Sequence, residues 1–194
     1  MEAIRSFIAV HLPISIRDQL EQIMSKLKHC CPSGSVRWVH SQNIHLTLKF
    51  LGDISPKNLT LLTEMLESET AKHPFFEFSV AKLGAFPNFQ RPRVIWVGVE
   101  PNDTLVNLQY RIDVETRRLG YASEARSFSP HLTLGRVSRS ATSEDIHKIS
   151  RAVSTMEVGQ LGIVRAESVH LFRSDLKPGG AVYTPLFVAP LSAS

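Results

Sequence analysis

The tetrad His-Leu-Thr-Leu occurs twice in this chain, at residues 45–48 and 131–134. In each copy a histidine and a threonine stand two positions apart. On an extended strand such residues project from the same face, about 6.5–7 Å apart. Each copy therefore presents one imidazole beside one hydroxyl. A neutral imidazole takes a proton and an imidazolium gives one near neutral pH, because the unperturbed histidine pKa is about 6.5. Two such pairs facing one another would offer an anion an acid, a base and two hydroxyl donors. In-line displacement at phosphorus needs that set: one imidazole activates the incoming oxygen while the other protonates the departing one. His45, Thr47, His131 and Thr133 are thus the candidate chemical residues, and a phosphodiester is the natural substrate.

Two other origins of the pattern stay open at this level. Two amphipathic strands with leucines inward and a surface histidine would read alike, although histidine is not a favoured strand former and keeps one offset from threonine in both copies. A metal site of His40, His45 and His131 is the other. No H-E-x-x-H, paired-cysteine spacing or Asp/His cluster accompanies it in the sequence.

The elements that must position these residues follow from periodicity. SFIAVHL (6–12) is a strand stopped by Pro13, which has no N–H to donate. Ile16, Leu20, Ile23, Met24 and Leu27 recur at helical spacing over 14–29, with Ile14 or Ser15 near the cap. VRWVH (36–40) and NIHLTLKFLG (43–52) read as strands, and strict alternation places His45, Thr47 and Lys49 on one face. Ser55 and Pro56 open a helix over 55–68 that carries Leu59, Leu62 and Leu66. Strands over 75–86 and 93–99 follow, separated by a turn-rich PNFQRP.

The second half repeats this order. A helix over 103–120 opens at Asp103 and closes at Gly120, the second motif strand covers 129–137, and a helix covers 142–155. Strands in 158–176 and 181–189 complete the chain. The pattern is a duplicated unit of the α+β class with mostly antiparallel sheets. One half would form each wall of a cleft, and each wall would carry one tetrad.

Composition narrows the class further. At 194 residues, without Gly/Ser linkers or low-complexity tracts, one compact unit spanning 1–194 is expected. With 43% hydrophobic and 21% charged residues, neither disorder nor a coiled coil is indicated. The net charge of +4 suits a polyanionic partner without requiring one. Cys30 and Cys31 are adjacent, a spacing that disfavours an unstrained disulfide, so a reducing cytoplasm is expected. The apolar run FIAV (7–10) is too short for a signal peptide or a membrane span.

The two H-x-T-x motifs resemble those of the 2H phosphoesterases. The stretches VRWVHSQNIHLTLKFLGDI (36–54), FPNFQRPRVIWVGV (86–99), SFSPHLTLGR (127–136) and VHLFRSDLKPGGAVYTPL (169–186) resemble, more narrowly, the RNA 2′,3′-cyclic phosphodiesterases of bacteria and archaea, first described as 2′-5′ RNA ligases. The similarity runs over essentially the whole chain. It implies a bilobal 2H phosphoesterase fold: two pseudo-symmetric lobes of mostly antiparallel sheet, helices outside, and an active-site cleft between them. It implies a reaction without metal or cofactor that opens RNA 2′,3′-cyclic phosphate ends to 2′-phosphomonoesters. Some members also join tRNA halves reversibly through a 2′-5′ linkage.

Carried onto this chain, the resemblance makes His45 and His131 the catalytic pair, with His131 as base for water and His45 as acid, and Thr47 and Thr133 ligands of the phosphate oxygens. Arg136, five after His131, resembles an arginine that holds the phosphate. Phe50, five after His45, resembles an aromatic that stacks on the terminal base. Strict alternation puts both on the wrong face from their histidines; a bulge at Gly135 would restore Arg136, and Phe50 lies close to a strand end before Gly52. A core aromatic at Phe50 and a solvated arginine at Arg136 are the bland alternatives.

Lys49, Arg91 and Arg93 are candidates to contact the RNA backbone. Tyr183 is expected near the cleft without a chemical role, and Trp38 and Trp96 in the core. The remaining histidines are expected on surfaces or at element ends. The expected partner is RNA ending in a 2′,3′-cyclic phosphate, tRNA halves included, bound by a monomer with no membrane attachment. Two rivals remain: the same chemistry on a small cyclic nucleotide or an ADP-ribose cyclic phosphate, and an RNA-end-binding module without turnover.

Overall fold

The computed structural model describes residues 3–124, 126–178 and 180–193. Nine strands and four α-helices alternate along them: β1 (Ile4–His11), α1 (Ile14–Cys30), β2 (Val36–Trp38), β3 (His45–Ile54), α2 (Leu59–Thr70), β4 (Phe76–Phe86), β5 (Val94–Val99), α3 (Asp103–Arg118), β6 (His131–Val137), α4 (Ser143–Thr155), β7 (Gln160–Ala166), β8 (Ser168–Lys177) and β9 (Gly180–Pro190). The strands form two sheets, in the orders β3-β1-β8-β9 and β2-β6-β5-β4-β7. Every pairing within them is antiparallel. This is the expected α+β architecture of two sheet-based lobes, with the two tetrads on different sheets.

The predicted helix faces are the buried ones. Ile16, Leu20, Ile23, Met24 and Leu27 of α1 are all buried, as are Leu62 and Leu66 of α2. Capping differs in detail from the sequence reading. Pro13 precedes α1, and Asn102, one residue before Asp103, caps α3 by accepting from the Leu105 N–H at 2.8 Å. Gly120 follows α3 at φ +92°, the left-handed conformation that glycine adopts without steric cost.

The division of the chain between lobes is where the structure departs from expectation. Each sheet draws strands from both halves of the sequence rather than from one. β1 and β3 are joined by β8 and β9 from the far end, while β4 and β5 join β6 and β7. The helices are exchanged as well. α1 leaves the first sheet and packs against α4 and β7 beside the second; α3 leaves the second and packs against α2 and β3 beside the first. Apolar side chains of both sheets, such as Ile8 and Ile95, belong to one contiguous buried cluster. No described helix is long and apolar enough to cross a membrane.

Candidate active site

His45 opens β3 and His131 opens β6, and both line one cleft of about 560 Å³ together with Thr47, Thr133, Phe50 and Arg136. All six sequence candidates therefore come together. The device that brings in the last two is the same on both walls. In β3, Ile8 pairs with Lys49 and Ala9 with Thr47, so Leu48 is an extra residue; in β6, Ile95 pairs with Gly135 and Trp96 with Thr133, so Leu134 is extra. Each bulge shifts the alternation by one and returns the residue five after the histidine to the cleft face. Phe50 is accordingly 57% exposed rather than part of the core.

A bulge leaves a carbonyl without its ladder partner, and both carbonyls are taken up from outside the strand pair. The Leu134 carbonyl accepts from the Val39 N–H just beyond β2, at 2.8 Å. The Leu48 carbonyl accepts from Gln109 Nε2 of α3, at 3.3 Å. The same shift corrects the placement of Lys49. Its side chain turns into the interior, 1% exposed, where Nζ donates to Asp113 at 2.6 Å and to the Ala122 carbonyl at 2.5 Å. It cannot reach RNA.

The histidines are held alike. Nδ1 of His45 lies 2.7 Å from the Asn43 carbonyl, and Nδ1 of His131 lies 2.7 Å from the Ser129 carbonyl. A carbonyl only accepts, so each Nδ1 carries hydrogen and each Nε2 is left for chemistry. Asn43 is itself anchored, its Nδ2 donating to the Ala181 carbonyl at 2.7 Å. Around His45 stand Phe7, stacked at 4.5 Å between ring centroids, and Tyr183, edge-on at 5.3 Å. Around His131 stand Phe86, edge-on at 4.9 Å, and Trp96 at 6.3 Å.

These surroundings disfavour the charged imidazole. Burial pushes His45 down to about 4, with His11 and His131 adding repulsion against the raising effect of the Asn43 carbonyl. Burial likewise lowers His131, helped by the Arg136 guanidinium and opposed by the Ser129 carbonyl. The Thr47 and Thr133 hydroxyls make no hydrogen bond to any described residue, and both are free to donate into the cleft.

Tyr183 lines the cleft as expected, and Trp96 stands beside His131 over Gly84, where a Cβ would lie 2.2 Å from its ring. Arg91, Arg93 and His40 do not line the cleft. Among the described residues no group of three or more His, Cys, Asp or Glu could hold a metal ion. Sequence reading missed Phe7, Arg5 and Arg37, which also line the cleft. Arg37 had a signal available: it lies on the strand preceding the first motif, one residue before Trp38. Beside His45, a side chamber of about 270 Å³ is walled by His11, His170 and Phe172.

Two antiparallel lobes that each contribute one H-x-T strand to a shared cleft define a 2H phosphoesterase. The chain belongs to the family of LigT-like phosphoesterases, whose model matches it twice in succession, over residues 10–96 and 97–183, one tetrad in each match. It is 34% identical over 185 residues to the RNA 2′,3′-cyclic phosphodiesterase of Methanothermobacter thermautotrophicus, covering 95% of this chain and 97% of that one. It is 33% identical to the enzyme of the same name from Archaeoglobus fulgidus, covering 95% and 98%. Among solved structures it is similar to TT0787 of Thermus thermophilus (TM-score 0.81, 26% identity, covering 97% of this chain and 98% of that one). Escherichia coli LigT complexed with 3′-AMP is also similar (TM-score 0.77, 27% identity, 98% and 99%).

Proposed function

We propose that this phosphoesterase hydrolyses RNA 2′,3′-cyclic phosphate ends to 2′-phosphomonoesters by acid–base catalysis between His45 and His131, without a metal. The observation that carries the reading is the matched pair of imidazoles. Both open onto one cleft with Nε2 free, and each has an unengaged threonine hydroxyl two residues on. Relatives that cover nearly the whole chain bear the name of this activity.

In the forward reaction water attacks phosphorus opposite the ribose 3′-oxygen. His131 Nε2 takes a proton from water, the P–O3′ bond breaks, and His45 Nε2 delivers a proton to the departing 3′-oxygen. Thr47, Thr133 and Arg136 hold the non-bridging oxygens, which gain charge as the fifth bond forms. In the empty cleft both imidazoles are predominantly neutral at pH 7; the entering phosphate monoanion favours the imidazolium and so charges the acid. Phe50, exposed on the cleft wall, stacks on the terminal base. If a 5′-hydroxyl replaces water as the nucleophile, the same steps join two RNAs through a 2′-5′ linkage, reversibly. The whole chain acts as one unit, because each wall needs strands from both halves. Cys30 and Cys31 are both free thiols, in keeping with a reducing compartment such as the cytoplasm.

The test is product analysis on an RNA ending in a 2′,3′-cyclic phosphate, in EDTA, beside His45→Ala and His131→Ala. A 2′-phosphate end is expected from the unaltered protein, with turnover lower by about two to four orders of magnitude in each variant. A metal requirement, or full activity in either variant, refutes the mechanism.

A further inference from the structure

The reacting phosphate does not account for the charge of the cleft. A cyclic phosphodiester carries a single negative charge, and Arg136 with the two threonines and the histidine pair suffices to hold it. Yet the lining also contains Arg5 from β1 on one wall and Arg37 from β2 on the other, and among its described residues no aspartate or glutamate. Neither arginine forms an ion pair with any described residue.

The placement of Arg37 is the more telling. It is the direct cross-strand partner of Arg136 in the β2–β6 ladder. Like charges directly opposite one another on antiparallel strands repel and destabilise the pairing. Among the described residues no carboxylate pairs with either arginine, and both line the open cleft. An anion between or beside them removes the repulsion, and a guanidinium fork is suited to phosphate oxygens.

We propose that Arg37, assisted from the opposite wall by Arg5, forms a second phosphate subsite that binds the internal phosphodiester preceding the cyclic end. The preferred substrate is then a single-stranded oligoribonucleotide rather than a mononucleotide. Arg37 and Arg5 select for chain length, while Arg136 serves the reacting phosphate. This rests on the phosphodiesterase reading of the cleft.

The experiment compares kcat/KM on a nucleoside 2′,3′-cyclic phosphate and on a trinucleotide with the same cyclic end, for the unaltered protein, Arg37→Gln and Arg5→Gln. Arg37→Gln is expected to lower the trinucleotide-to-mononucleotide ratio tenfold or more, Arg5→Gln by a smaller factor. The salt dependence of trinucleotide binding should flatten by roughly 0.7 in log–log slope for each phosphate that the variant no longer neutralises. An equal loss on both substrates, or no loss on either, overturns the subsite. Mononucleotide turnover reports that the variants are folded. A parallel arm measures binding of a trinucleotide and a nucleoside that each end in a 2′-phosphate. If the unaltered protein turns over neither cyclic substrate, the phosphodiesterase reading fails, and the affinity gap in this arm, preserved or abolished in Arg37→Gln, still decides the subsite.

Discussion

An imidazole taken out of water and walled by aromatic rings is a poor proton holder, and both candidate catalytic histidines are in that condition even though a backbone carbonyl accepts from each Nδ1. His45 is pushed down to about 4 and His131 below its ordinary 6.5, burial being the main cause in each. A reaction that needs one proton shared between the two is fastest between the apparent pKa values of the pair, whichever histidine is the acid. On a cyclic-phosphate substrate kcat/KM, which reports the free enzyme, should therefore peak below pH 6.5. The kcat profile, which reports the complex, should lie at higher pH because the bound phosphate favours both imidazolium forms. A kcat/KM maximum above pH 7 would contradict the assignment. The tetrads were legible in the sequence because a histidine and a threonine two apart on a strand carry their own geometry. The carbonyls of Asn43 and Ser129 that fix the tautomers were not, since a backbone acceptor leaves no trace in residue type.

At the scale of elements, the two bulges decide which residues meet the cleft, and α3 holds the first of them. Gln109 takes the carbonyl freed at Leu48, and Asp113, one helical turn on, neutralises Lys49, whose side chain is wholly buried. The Lys49 ammonium holds the Asp113 carboxyl below its usual range against the opposing effect of burial, assisted by the Glu124 N–H. Removing one partner of such a pair leaves a buried charge and costs about 3–5 kcal/mol, whereas replacing both with apolar groups is often near neutral. Asp113→Ala should thus lower unfolding free energy in urea by about 3 kcal/mol, and Lys49→Met with Asp113→Leu should recover most of it. A loss under about 1 kcal/mol for the single change would show that Lys49 finds water instead. Helices and strands were readable from apolar periodicity, and the α1 stripe from Ile16 to Leu27 is buried as read. The β6 bulge was signalled by Gly135, but the extra residue at Leu48 is fixed by the partner strand and leaves no such mark; it inverts the alternation just after it, which sent Lys49 toward solvent on paper and into the core in fact.

At the scale of the molecule, the exchange of strands and helices between lobes makes the cleft a product of the complete fold rather than of either half. Repetition in the sequence pointed to two equivalent walls, but which strands complete each sheet depends on long-range pairings such as β1 with β8, which local pattern does not encode. Four imidazoles line the cleft and the side chamber beside it. His11, His45, His131 and His170 are all shifted down, with burial the leading cause at each. When folding depresses a histidine pKa, the unfolded chain binds the proton first on acidification. The stability is complete above the unfolded value near 6.5 and is lost as pH falls toward the folded one. From His45 alone, with its folded value about 4, the loss between pH 6.5 and 5 is about 2 kcal/mol, or a fall in Tm of about 4–8 °C. Thermal unfolding of the unaltered protein should show at least that decline, and His45→Ala should flatten it. Inorganic phosphate should raise Tm more at pH 5 than at pH 7, because an anion in the cleft stabilises the imidazolium forms that the empty fold rejects. A Tm that stays level from pH 7 to 5, or the same slope after His45→Ala, would mean that the cleft histidines are hydrated in solution and that the lobes do not close around them.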